Sequence, residues 1–195
     1  MNDTQLILAS ASPRRRELLS LTGLPFTVDA PHVDEHCTLP PREAVREISR
    51  RKALASAKMH PGKVILAADT LVSVNETALG KPRDEADAFR MLQSLSGRWH
   101  QVYTGVSVVD AQGQLRSEVA VTDVHFEVMS EEAIRRYIAT GEPMDKAGAY
   151  AVQGVAGLWI DDLRGSHTNV IGLPMALTRC MLEGCGLLSA APRSC

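Results

Sequence analysis

Leu6-Ile7-Leu8-Ala9-Ser10-Ala11-Ser12-Pro13-Arg14-Arg15-Arg16 is the stretch on which the fold turns. Its apolar run makes Leu6 to Ser10 a short buried strand. Ser12-Pro13 is an N-cap and first-turn pair, and Gly23 marks where a helix should stop. Strand, tight turn and helix place two serines and three arginines at the positive end of a helix, where backbone N–H groups lack intrahelical partners. Arginine there opposes the dipole, so the turn is either a solvated basic cap or a cradle for an anion such as a triphosphate. Neither a Walker loop nor a GxGxxG dinucleotide fingerprint occurs.

The downstream chain alternates helix and strand. Pro41 to about His60 reads as a helix whose Val45, Ile48, Ala55 and Met59 share a face, and Lys52 falls on that face too. A lysine in an apolar stripe either snorkels to an edge or meets an anion. Val64 to Val74 reads as a buried strand interrupted by Asp69 and Thr70. Ala88, Met91, Leu92 and Leu95 mark a third helix that Gly97 ends, and two antiparallel strands turn at Gln112-Gly113, with alternation through Val124, Phe126 and Val128. Ser130 caps a helix that Gly141 closes, Leu158-Trp159-Ile160 reads as a strand, and a last helix starts at Pro174. The class is therefore α/β with some antiparallel sheet, and residues 1–195 read as a single domain without repeat or long linker.

A formal net charge of −2 over 195 residues supplies no global basic field for a nucleic-acid polymer, whereas local Arg and Lys clusters suit a small anion. The first residues carry no basic leader and the following apolar run is too short to span a membrane, so a cytoplasmic protein is expected. Cys37, Cys180, Cys185 and Cys195 show no CxxC spacing and are expected as reduced thiols. His32, His36 and Cys37 imitate a zinc site but lack a fourth ligand at suitable spacing.

Three segments carry candidate chemistry besides the arginine turn. Asp69-Thr70 puts a carboxylate on a buried strand, which must meet a metal, a cation or the strand's end. Gly80-Lys81-Pro82 holds a lysine between Gly and Pro, suited to a phosphate or simply to solvent. In the segment from Glu142 to Gly154, small residues permit close approach of a flat ligand, and Gln153 offers a donor and an acceptor to a base edge. Glu35, in Val33-Asp34-Glu35-His36, either helps hold a metal or belongs to a solvated acidic loop.

Taken together, Ser10-x-Ser12-Pro13-Arg14-Arg15, Ala68-Asp69-Thr70, Gly80-Lys81-Pro82, Tyr103-Thr104-Gly105-Val106 and Asp145-Lys146-Ala147-Gly148-Ala149-Tyr150 resemble the Maf family of nucleotide pyrophosphatases, from about Leu6 to about Leu187. The resemblance implies a Maf/ITPase-like α/β fold, a mixed sheet with flanking helices and two lobes around a deep cleft, often as a homodimer. It implies hydrolysis of dTTP and UTP to the monophosphate and pyrophosphate with Mg²⁺ or Mn²⁺. The alternatives are another nucleotide (CTP, a modified pyrimidine or 7-methyl-GTP) or a nucleotide-binding regulator of cell division. By the same resemblance Asp69 is the general base, Arg14, Thr70 and Gln153 set base preference, and Ser10, Arg15, Glu35, Lys52 and Lys81 line the cleft, with Glu35 and Asp69 the metal candidates. Where the family reads Tyr-Gly-Ile-Gln-Gly, this chain has Tyr150-Ala151-Val152-Gln153-Gly154, and the Ala151 methyl narrows the expected base pocket.

Overall fold

The computed structural model describes residues 5–188. The expected opening forms as β1 (Leu6–Leu8) and α1 (Pro13–Ser20), with Ser12 as N-cap accepting the Arg15 N–H. Next come β2 (Phe26–Val28), α2 (Pro41–Met59), β3 (Val64–Val74), β4 (Thr77–Leu79) and α3 (Glu85–Leu95). The second half holds β5 (Trp99–Val109), β6 (Leu115–Phe126), α4 (Glu131–Ile138), three 3₁₀ turns between Glu142 and Trp159, β7 (Ile160–Arg164), α5 (His167–Ile171) and α6 (Met175–Glu183).

Seven strands form one mixed sheet in the order β2-β1-β3-β5-β6-β7, with β4 also on β3. The β2-β1-β3 pairings are parallel and the rest antiparallel. Successive side chains of a strand leave on opposite faces, and both faces of this sheet are covered. On one face Ile65 and Ala67 pack with Ala53 of α2. On the other, Leu66 and Ala68 join Leu18 and Leu19 of α1 and Met181 and Leu182 of α6. Further along that second face, Val72 and Val74 join a separate cluster with Leu92 and Leu95 of α3 and Ile134 and Tyr137 of α4. The two clusters on that second face thus share the long strands β3 and β5, and the expected α/β architecture, a mixed sheet with flanking helices, is what forms.

One break in the sheet positions everything that follows. β5 pairs with β3 from Ile65 to Ser73 along one edge. Along the other edge β1 pairs with residues 64–66 and β4 with residues 72–74. Among the described residues no strand covers positions 67–71 on that edge. Asp69 and Thr70 sit in the gap.

Several expectations at element ends are corrected. Val128 lies beyond β6 and is 82% exposed, because the chain bulges at His125/Phe126 and leaves the sheet. Met59 is exposed at the last turn of α2, past the sheet it would have to cover. Leu158-Trp159-Ile160 is not a strand: Val155–Trp159 is a 3₁₀ turn and β7 begins only at Ile160. The sequence reading also passed over β2, β4 and α5, each of five residues or fewer. The β3–β4 hairpin turns on Asn75 and Glu76, both at positive φ. A glutamate at the second turn position hides the usual Asn-Gly signal.

Candidate active site

The open edge of β3 is the floor of a cleft of about 590 Å³. All nine residues singled out on sequence grounds line it: Ser10, Arg14, Arg15, Glu35, Lys52, Asp69, Thr70, Lys81 and Gln153. Asp69 and Thr70 are sequence neighbours whose side chains leave opposite faces of β3, and one cleft admits both because no strand among the described residues closes that edge. Asp69 points toward α2 and Thr70 toward α1 and α5, so each meets a different set of partners.

On the α2 side, Lys52 is almost fully buried and its Nζ donates to Asp69 Oδ1 at 2.8 Å. The same ammonium lies 2.9 Å from Glu35 Oε1, whose side chain is mostly exposed at the cleft mouth. Burial raises the Asp69 carboxyl above its ordinary value, against the opposing charges of Lys52 and Arg15 and with a small push from Glu35. The neighbouring cations therefore do not fully offset desolvation, contrary to what their number suggests.

On the α1 side, Arg15 uses three donors on the protein itself. Nε donates to the Gly172 carbonyl at 2.8 Å, Nη1 to Ser10 Oγ at 3.1 Å and Nη2 to Thr70 Oγ1 at 3.0 Å. Thr70 Oγ1 in turn lies 2.9 Å from Thr104 Oγ1, and Thr104 donates to the Asn169 carbonyl of α5. The guanidinium is thus fixed between three segments. Arg14 makes only a 3.4 Å contact across the cleft to Asp145.

The far wall is built from the 3₁₀ turns. Asp145, Lys146, Ala147, Tyr150, Ala151 and Gln153 border the cleft. The Gly148 N–H donates to the Gly80 carbonyl at 3.0 Å, which ties this wall to the Gly80-Lys81-Pro82 turn. The Tyr150 hydroxyl meets the buried His100 Nε2 at 2.8 Å, which leaves the ring rather than the hydroxyl for a ligand. Ala151 is buried where it borders the cleft.

Two contributions escaped the sequence reading. Val170 and Ile171 complete the lining, and the Gly172 carbonyl anchors Arg15. The glycine at 172 was the one sequence signal, and the structure shows its duty: it follows α5 at φ 122° and presents that carbonyl.

The donor set suits a magnesium-like ion. Only two carboxylates, Asp69 and Glu35, converge at Lys52, and no cluster of three or more His, Cys, Asp or Glu fit for a metal occurs among the described residues. Mg²⁺ characteristically takes one or two carboxylates and completes its shell with water and substrate phosphates. His32, His36 and Cys37 form no such cluster either. Cys37, Cys180 and Cys185 are free thiols, and Cys195 lies outside the described residues. No helix among the described residues is long and apolar enough to cross a membrane.

A dTTP/UTP pyrophosphatase of Symbiobacterium thermophilum is 49% identical over 184 residues, covering 93% of this chain and 94% of that protein. Proteins of the same description from a Geobacillus species and from Thermococcus gammatolerans are 48% and 46% identical, over 89% and 88% of this chain and 94% and 92% of theirs. Among solved structures, the Staphylococcus aureus Ham1 protein superposes with a TM-score of 0.54 at 17% identity, over 92% of this chain and 98% of that one. A HAM1 protein from Coxiella burnetii gives 0.54 at 14% identity, over 91% and 98%. Those two show a shared fold. The family model described as Maf-like protein matches residues 5–185, and with relatives this similar over nearly their whole length the chain belongs to the Maf-like family.

Proposed function

We propose that the chain hydrolyses dTTP and UTP to the nucleoside monophosphate and pyrophosphate, with Asp69 as the general base. The observation that carries this reading is the grouping, at one open strand edge, of a carboxylate of raised pKa with Arg14, Arg15, Lys52 and Lys81. The relatives' names point to the same substrates.

Cleavage between the α- and β-phosphates needs an activated water and stabilisation of charge on the leaving pyrophosphate. Asp69 takes the proton as the water oxygen bonds to phosphorus and the bridging P–O bond breaks. A raised pKa suits that task, since a base near the working pH both is ionised and accepts a proton readily. Lys52 orients the carboxylate, while Arg14, Arg15 and Lys81 stabilise the phosphoryl oxygens and the leaving group. Asp69 and Glu35 would hold Mg²⁺ or Mn²⁺, which supplies charge neutralisation and a more acidic bound water. Ser10, already bonded to Arg15, bounds the phosphate end. Thr70, Arg14 and Gln153 set base preference, with the Tyr150 ring and the Ala151 methyl limiting the space. A cytoplasmic location and a homodimer belong to the same reading.

The test is pyrophosphate release from dTTP, UTP, CTP, modified pyrimidine triphosphates and 7-methyl-GTP, with Mg²⁺ or Mn²⁺ and with EDTA. Metal-dependent release that peaks on dTTP and UTP and vanishes in Asp69→Asn is expected. Unchanged turnover in Asp69→Asn would sink the assignment of the base.

A further inference from the structure

Ala151 and Gln153 border the cleft, but the loop that bears them is anchored from outside it. Glu142 Oε1 accepts the Tyr137 hydroxyl at 2.7 Å, and Glu142 Oε2 accepts the Val155 N–H at 3.2 Å. The Tyr137 hydroxyl also accepts the Ala151 N–H at 3.3 Å, so its one proton goes to the carboxylate and a lone pair to the loop. Between those anchors the Gly154 N–H donates to the Ala151 carbonyl at 3.1 Å, closing a tight turn. Gly154 lies against the carboxylate: a Cβ there would stand 2.2 Å from Glu142 Oε1 and 2.5 Å from Oε2. Only a glycine lets the carboxylate reach beneath the turn. Gln153 is therefore held between two fixed points, Ala151 and Val155, while its own side chain remains exposed in the cleft.

We propose that Glu142 and Tyr137 form a clamp that sets the nucleobase selectivity of the cleft, acting through the main chain of residues 151–155 to fix where the Gln153 amide meets the base. They are positioning residues, and neither lines the cleft. The proposal rests on the nucleotide-hydrolysing reading of that cleft. Uracil and thymine present a carbonyl and a ring N–H where cytosine presents an amino group and a bare ring nitrogen. An amide carries both a donor and an acceptor, so it discriminates between these edges only when its position dictates which atom faces which. A loose loop lets the amide turn to suit either base. Tyr137 keeps its proton throughout, because burial and then the bond to Glu142 push the phenol well above its ordinary range.

A double-mutant cycle separates this role from mere support of the fold. Glu142→Gln keeps the size but cannot accept at both positions, and kcat and KM are measured with dTTP, UTP and CTP for wild type, E142Q, Q153A and the double variant. The preference for dTTP over CTP is expected to fall about tenfold in E142Q, chiefly through KM, and E142Q/Q153A should discriminate no worse than Q153A. A loss uniform across the three nucleotides, additivity with Q153A, or a wild type that does not discriminate overturns the clamp. Tyr137→Phe carries the same cycle should E142Q fail to fold, as thermal unfolding of each variant will show. Absence of pyrophosphate release by the folded wild type from any nucleotide overturns instead the functional reading beneath it.

Discussion

Lys52 Nζ of α2 sits 2.8 Å from Asp69 Oδ1 of β3, and at Gly105 of the neighbouring strand β5 the same helix packs too close for a side chain. Asp69 is opposite Gly105 in the β3–β5 register, and the Gly105 backbone approaches the Val45 carbonyl of α2. The ion pair is therefore a consequence of helix-to-sheet packing as much as of charge.

The two charges beside Asp69 act on it in opposite directions, and their removal should show it. Lys52 lowers the carboxyl pKa that burial raises, and Glu35 raises it further. The acid limb of kcat/KM for dTTP, where Asp69 must lose its proton, is expected to move to higher pH in Lys52→Met and to lower pH in Glu35→Gln. Shifts of the same sign, or none, in a pH–rate profile would contradict Asp69 as the titrating base. Lys52→Met should also unfold at lower temperature, because removing one partner of a buried pair costs about 3–5 kcal/mol.

Arg15 should not tolerate lysine. Its three donors reach Gly172, Ser10 and Thr70 at once, and a single ammonium cannot span them. With roughly 1 kcal/mol for each of the two bonds a lysine cannot replace, Arg15→Lys is expected to lose about 2 kcal/mol of stability and, with the site loosened, to lower kcat/KM. Arg14→Lys, which gives up only the 3.4 Å contact to Asp145, should be milder in the same assay. Equal losses for the two variants would refute the distinction.

His100 should make stability pH-dependent. Burial lowers its pKa from 6.5 to about 4, so the folded protein holds it neutral while the unfolded chain protonates it. Below the unfolded value the unfolded state binds more protons, and stability falls as pH drops from 6.5 toward about 4. His100→Phe removes the titrating ring and the bond to Tyr150, so its Tm should be lower at neutral pH yet decline less steeply on acidification. Parallel Tm curves for the two proteins would show that another group governs the acid limb of stability.

Gly105→Ala tests the packing that creates the ion pair. An added Cβ would stand 2.2 Å from the Val45 carbonyl oxygen, and backbone on both sides leaves nothing flexible to yield. A loss of about 1–3 kcal/mol in denaturant unfolding is expected, together with lower kcat, because α2 must shift and it carries Lys52. Wild-type activity in a destabilised variant would mean that Lys52 does not need its present position.

The residues that sequence reasoning reached were those whose signal is local. Ser12 and Ser130 act as N-caps, α2 runs from Pro41 as expected, and β3 has the predicted ends, Val64 and Val74. Propensity, capping and periodicity act within a few residues, so these features follow from short stretches of chain. Lys52 on an apolar face and Asp69 on an apolar strand were legible as unpaired charges that needed partners. That they are each other's partner was not, because the pairing depends on how α2 crosses the sheet. Val128 and Met59 were misplaced for the same reason: periodicity continues past the point where the neighbouring element stops.

The sequence by itself determined the α/β class, the main helices and long strands, and, through its motifs, nine of the residues that line the cleft. Tertiary structure alone decided that β1 and β4 leave positions 67–71 of β3 uncovered, that the Gly172 carbonyl fixes Arg15, and that Glu142 reaches beneath Gly154 to hold the loop of Gln153. Register between strands and the reach of one segment beneath another arise from packing between parts of the chain far apart in sequence, and no short-range pattern encodes them.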